Sequence, residues 1–212
     1  YTSLRWLFNR FSELASSGST NIPKLVLIDN GIHDEGGNYI VINIPISIVG
    51  ESREHCVVIG GLKMYGKIED DVNVQDLTLC ESKYAGVDGY NSASFHLDNV
   101  SIENSGSRGV FVSGSQRNTM KNCNVSHSKW SGLVVGSGGS IKIDGNATTV
   151  HHNGVCGGWV YGMYTYHSSS SILLVSPLTK KMISTNNDGG RNYGGQGTIQ
   201  TITNNIIKDE KK

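Results

Sequence analysis

Hydrophobic and polar positions recur along this chain in columns spaced 23 residues apart. Val74, Leu97 and Met120 form one apolar column, Leu77, Val100 and Cys123 a second, and Leu79, Ile102 and Val125 a third. Gly86, Gly109 and Gly132 align, each followed by a branched apolar residue (Val87, Val110 or Leu133). Ser82, Ser105 and Ser128 align too, as do Asp76, Asn99 and Asn122. A fixed period of this length with β-type composition predicts stacked coils, each too small to bury a core alone. Within a coil, the alternation breaks at the Asp/Asn column, where the inward residues Val74 and Leu77 lie three apart. That spacing predicts a bend between two strands, at which asparagine accepts a left-handed backbone and bonds along the stack. The strand spacing sets the coil height at about 4.8 Å.

The flanks follow other patterns. Leu4, Leu7, Phe8, Phe11, Leu14 and Ala15 have helical spacing, so residues 3–15 read as an amphipathic helix started by Ser3 and ended by Gly18. An open stack exposes an apolar cross-section and strand edges, and this helix is the expected lid. Lys24–Ile28, Tyr39–Ile44, Pro45–Gly50, Val57–Gly61 and Leu62–Gly66 read as strands, and Gly31–Gly37 as a loop. After Ile143 the register slips. Val150 follows Val125 by 25 residues, and Gly162 follows Gly132 by 30, so one coil bulges near 154–161. Ile172–Val175 and Thr198–Ile202 read as late strands, Pro177–Lys181 as a turn. The division expected is a cap over 1–20, coils over 21–203 and a charged tail over 204–212.

Composition narrows the picture. Eighteen basic and 18 acidic residues leave no net basic field of the kind nucleic acid attracts. Hydrophobic content of 37% suits a thin core with every second strand residue turned inward. No apolar run reaches the roughly 20 residues of a membrane span. Cys56, Cys80, Cys123 and Cys156 show no metal-ligand spacing. The sequons at Asn99, Asn124 and Asn146 fall partly in strands; with unpaired cysteines, that leans towards an intracellular setting. Tyr1 in place of methionine points to a processed or trimmed chain.

The order of a helical segment, "LVLIDNGIH", "IPISIVGE" and the coils "DLTL…AGV", "NVSI…RGV" and "NCNV…SGL" resembles the pectin-lyase-like superfamily. The resemblance implies an all-β fold: a single-stranded right-handed parallel β-helix solenoid with an N-terminal capping α-helix. "HHN", "SSSSILLVSPLTKKMISTNN" and "GGRNYGGQGTI" resemble, more narrowly, uncharacterised β-helix proteins of algae and large algal viruses. The superfamily holds polysaccharide lyases, hydrolases and epimerases beside non-enzymatic binding modules, so the fold does not select an activity.

An enzyme of this superfamily would show its chemistry on one face. A hydrolase needs two spaced carboxyl groups, and no column offers two adjacent carboxylates. The Asp98, Lys121, Asp144 column reads as a surface ion-pair ladder. A pectate-type lyase needs a strong base and carboxylates holding calcium. The candidates are Arg108 and Lys129 as base, with Asp88 and His152. His151 and His152 are adjacent in a strand-like run and are expected to point apart. Trp130, Trp159, Tyr161, Tyr164 and Tyr166 cluster around the irregular coil, where rings can stack on sugars or anchor a partner. No metal site is expected, and calcium enters only with a lyase. The scarcity of converging polar groups favours a non-enzymatic structural or protein-binding module within a larger protein or assembly, with other subunits as partners. The alternative is a polysaccharide-active enzyme of uronate lyase type, or a glycan-binding module.

Overall fold

A computed structural model describes residues 3–66, 70–90, 94–156 and 160–203. The chain is an all-β right-handed parallel β-helix, and every strand pairing is parallel. The pairings sort into three columns running along the stack. The first joins Leu25–Ile28 to Ile46–Gly50, then to residues 72–75, 95–98, 118–121, 141–144 and 171–175, ending at Thr198–Ile202. The second joins 31–34, 56–59, 78–80, 101–103, 124–126, 149–151 and 184–185. The third joins 39–42, 61–64, 87–90, 110–113, 133–136, 163–165 and 193–195.

The 23-residue columns are the inner walls of this prism. Val74, Leu97, Met120 and Ile143 line the first wall, Leu79, Ile102, Val125 and Val150 the second, and Val87, Val110, Leu133 and Met163 the third, all at most 1% exposed. Asp76, Asn99 and Asn122 turn the corner between the first and second columns with φ of 52–55°. Asn99 Nδ2 donates to Asp76 Oδ1 at 2.6 Å, the bond along the stack that the sequence predicts. At the next corner Glu81, Asn104, His127, His152 and Asn186 all have positive φ. The buried serine column (Ser82, Ser105, Ser128) continues upward as Asn153 and Asn187. Asn153 Oδ1 accepts the Ser128 N–H, and Asn187 Oδ1 accepts the Asn153 N–H, each at 3.0 Å.

Helix α1, Leu4–Ser16, buries Leu4, Phe8 and Phe11 in the same apolar cluster as the coils. Ser3 caps it, as expected, by accepting the Trp6 N–H at 3.4 Å. Gly31–Gly37 is not a free loop. It begins the strand Gly31–Ile42, because residues 31–34 pair with 56–59 whatever their polarity. Gly36 and Gly37, at φ 66° and 71°, carry the corner and shift the register before Tyr39. The segment read as a turn after Pro177 contains a helical turn, Lys180–Ile183, capped by Thr179. No helix among the described residues is long and apolar enough to cross a membrane.

Candidate functional site

The outward positions of the third column form a row along the stack: Val41, Lys63, Asp88, Phe111, Val134 and Tyr164. Register places Lys63 beside Asp88 on neighbouring coils. The Lys63 Nζ lies 3.9 Å from Asp88 Oδ2, which also accepts the Tyr39 hydroxyl at 3.3 Å. That hydroxyl accepts the Ala85 N–H at 3.0 Å. The Asp88 side chain is only 15% exposed, and its Oδ1 has no hydrogen-bond partner among the described residues. Burial raises its pKa above the usual carboxylate range, opposed by Lys63, the Tyr39 hydrogen bond and Arg108. Burial and the Asp88 charge likewise raise the Tyr39 phenol, so it keeps its proton at neutral pH. Burial lowers Arg108 from its ordinary value, and Asp88 opposes that fall.

Aromatic rings frame these charges. Tyr39 stacks on Tyr84 with centroids 5.0 Å apart. Arg108 Cζ sits 4.6 Å from the Phe111 ring centre and 5.5 Å from that of Trp130. Further along the stack, Tyr161 and Tyr164 stack at 5.0 Å, and Tyr166 meets Tyr164 edge-on at 6.0 Å. Tyr84, Trp130 and Tyr166 are the exposed rings of this face, while Tyr39, Phe111, Tyr161 and Tyr164 are half-buried.

Of the residues singled out in the sequence, Asp88, Arg108 and Trp130 come together, and Tyr161, Tyr164 and Tyr166 extend the same face. Trp159 lies outside the described residues. Lys129 is exposed at the corner that leads into the third column and takes no part in the Asp88 cluster's ion pair or ring contacts. His152 sits at that corner too, stacked on His127 at 5.4 Å. His151 and His152 do not point apart: the left-handed backbone at His152 breaks the strand alternation, and their Nδ1 atoms lie 2.7 Å from each other. Tyr39, Lys63, Tyr84 and Phe111 were not legible as site residues. Lys63 precedes Asp88 by 25 residues rather than 23, so the regular period hides their adjacency.

A family model described as a right handed beta helix region matches residues 60–212. The chain belongs to the right-handed β-helix family. No curated protein matches it. Among solved structures, the β-helix superposes on the catalytic domain of a GH87 α-1,3-glucanase in complex with tetrasaccharides. The TM-score is 0.56 at 13% identity, over 95% of this chain and 43% of that one. The chain thus spans less than half the length of that structure, and at this identity the likeness speaks for the fold. These findings correct the expectation of a non-enzymatic structural or protein-binding module: the solved structure on which this β-helix superposes is the catalytic domain of a glucanase.

Calcium binding needs about six to eight oxygen ligands. Around Asp88 the charged neighbours are the cations Lys63 and Arg108. Among the described residues no three His, Cys, Asp or Glu side chains converge on a common point. The donor set does not fit calcium.

Proposed function

We propose that this β-helix is a polysaccharide-active enzyme that binds an acidic glycan along its aromatic face and cleaves it by β-elimination. The observation that carries the reading is Asp88, paired with Lys63 of the neighbouring coil at 3.9 Å and close enough to Arg108 for the guanidinium to favour its charged form, beside the rings on which Arg108 rests. Two cations against one carboxylate leave one positive charge in surplus, which suits a uronate. Lys63 and Arg108 hold the sugar carboxylate and stabilise the charge that develops on it as the adjacent C–H proton leaves. Asp88 takes that proton; its raised pKa makes it a stronger base than an ordinary carboxylate. The C–H electron pair becomes the new C=C bond, and the bond from the ring to the glycosidic oxygen breaks. The Tyr39 hydroxyl, 3.3 Å from Asp88, supplies the proton to the departing oxygen. This reassigns Arg108 from base to cation, because a guanidinium stays protonated in proteins.

The test is incubation with a panel of uronate polymers and of neutral glucans, followed by ultraviolet absorbance of unsaturated uronate products. Absorbance that rises with wild type and disappears in Asp88→Asn is the expected result. Reducing ends released from a neutral glucan without unsaturated product would overturn the elimination chemistry.

A further inference from the structure

We propose that His151 and His152 form a two-histidine chelate for a divalent transition metal of the nickel and copper class, at a corner separate from the Asp88 cluster. Their Nδ1 atoms face each other at 2.7 Å. Two such atoms cannot both carry a proton, nor can two bare lone pairs sit that close without repulsion. A single shared proton satisfies the pair, and so does a metal cation. With metal–nitrogen bonds of about 2.0–2.1 Å, this separation gives a bite angle of roughly 80°. That is close to the right angle between neighbouring ligands in square-planar and octahedral complexes and well short of the tetrahedral angle zinc prefers.

The pair is held in place before any ion arrives. The left-handed backbone of His152 (φ 52°) turns two successive side chains to the same side. The His127 ring stacks on the His152 ring, 5° from parallel with centroids 5.4 Å apart, and fixes its plane.

The corner leaves room for the remaining ligands. His151 lines a groove of about 750 Å³ on the second column, together with Glu103 and Ser101. His152 lines a second hollow of about 220 Å³ with His127, Asn153 and Asp188. No third His, Cys, Asp or Glu among the described residues completes a ligand set. The other positions therefore fall to water or to a ligand lying in either hollow.

The experiment is titration with Ni²⁺, with Zn²⁺ as comparator, in a Cys156→Ser background, because Cys156 is exposed close by in the chain. Calorimetry gives the affinity, and nitrogen-detected NMR of the imidazoles shows which ring atoms respond. We expect one Ni²⁺ per chain, coordination shifts at Nδ1 of both His151 and His152, and weaker Zn²⁺ binding. His151→Ala and His152→Ala should each lower Ni²⁺ affinity at least tenfold, while His127→Ala, which only positions His152, should lower it about tenfold with the Nδ1 shifts retained. Circular dichroism of each variant establishes that the coils remain folded. Equal Ni²⁺ affinity in His152→Ala and its parent, or coordination through Nε2, would overturn the site. Neither outcome bears on the cleavage chemistry at Asp88.

Discussion

The carboxylate of Glu35 holds the first turn of the capping helix: Oε1 accepts the backbone N–H of Leu4 at 2.6 Å, and Oε2 accepts the Ser3 hydroxyl at 2.6 Å. Glu35 is only 5% exposed. An anion at a helix N-terminus satisfies donors that have no partner within the helix and complements its dipole. The cap is therefore fixed by two devices, the apolar face of Leu4, Phe8 and Phe11 and this one side chain from the corner that follows residues 31–34. Glu35→Ala should lower stability by about 2 kcal/mol, the usual loss for a charge-assisted hydrogen bond. Hydrogen exchange would show it first at the amides of α1, with Glu35→Gln losing less. Unchanged protection of those amides in Glu35→Ala would mean that the apolar face alone holds the cap.

The glycine column owes its place to close approach rather than to an unusual backbone. A methyl group on Gly109 would run into Val125 Cγ1 and the carbonyl of Gly132, both held by the next coil. Gly114, by contrast, has open space around it and a φ of +80°. Overpacking at Gly109→Ala should destabilise by about 1–3 kcal/mol. Gly114→Ala should show only backbone strain of roughly 1 kcal/mol. Urea unfolding of the two variants compares them directly, and equal losses would remove steric exclusion as the reason for the column.

The same logic explains what the sequence made legible. Residues that face a copy of themselves one coil away must repeat, so the walls at Val74, Leu97 and Met120, and the bends at Asp76, Asn99 and Asn122, could be read directly. A site needs no such repetition. Asp88 lies between Lys63 and Phe111 because register brings unlike residues together. Lys63 is out of phase with the 23-residue period, so no repeated column marks the pairing of this carboxylate with a cation. His151 and His152 depart from expectation for a related reason: alternation of adjacent side chains holds in a strand and fails at a left-handed corner. Gly31–Gly37 looked like a loop because its pairing partner, residues 56–59, supplies the order that its own polar composition does not.

The raised pKa of Asp88 has a definite sign for stability. Burial makes the folded protein hold this proton more tightly than the unfolded chain does. Its contribution is then greatest at low pH. It is lost as pH rises from the ordinary carboxylate range through the raised native value. Asp88→Asn should remove that loss. Over the same rise in pH, the stability of the variant should improve relative to wild type, as read from urea midpoints at acidic and neutral pH. A relative gain for wild type instead would show that attraction to Lys63 and Arg108 outweighs burial.

Arg108 and Trp130 are the pair through which binding along the face can be separated from chemistry at Asp88. The guanidinium lies over both Trp130 and Phe111, so Trp130→Ala leaves it one ring to rest on. Trp130 is 49% exposed and Tyr166 56%, on different coils of the same face. If a glycan lies along the stack, each of Trp130→Ala and Tyr166→Ala should weaken binding by about 0.5–1.5 kcal/mol, the worth of one ring contact. Both rings neighbour Arg108, whose guanidinium lies over Trp130 and feels Tyr166, so the loss in the double variant should depart from the sum of the single losses. Arg108→Ala should weaken binding to a uronate polymer far more than to a neutral one. Lys129→Ala, at the exposed corner, should change neither. Affinity electrophoresis in gels containing each polymer measures all four variants. A Tyr166→Ala variant that binds as wild type does, beside a Trp130→Ala variant that does not, would confine the bound sugar to the coils around Asp88.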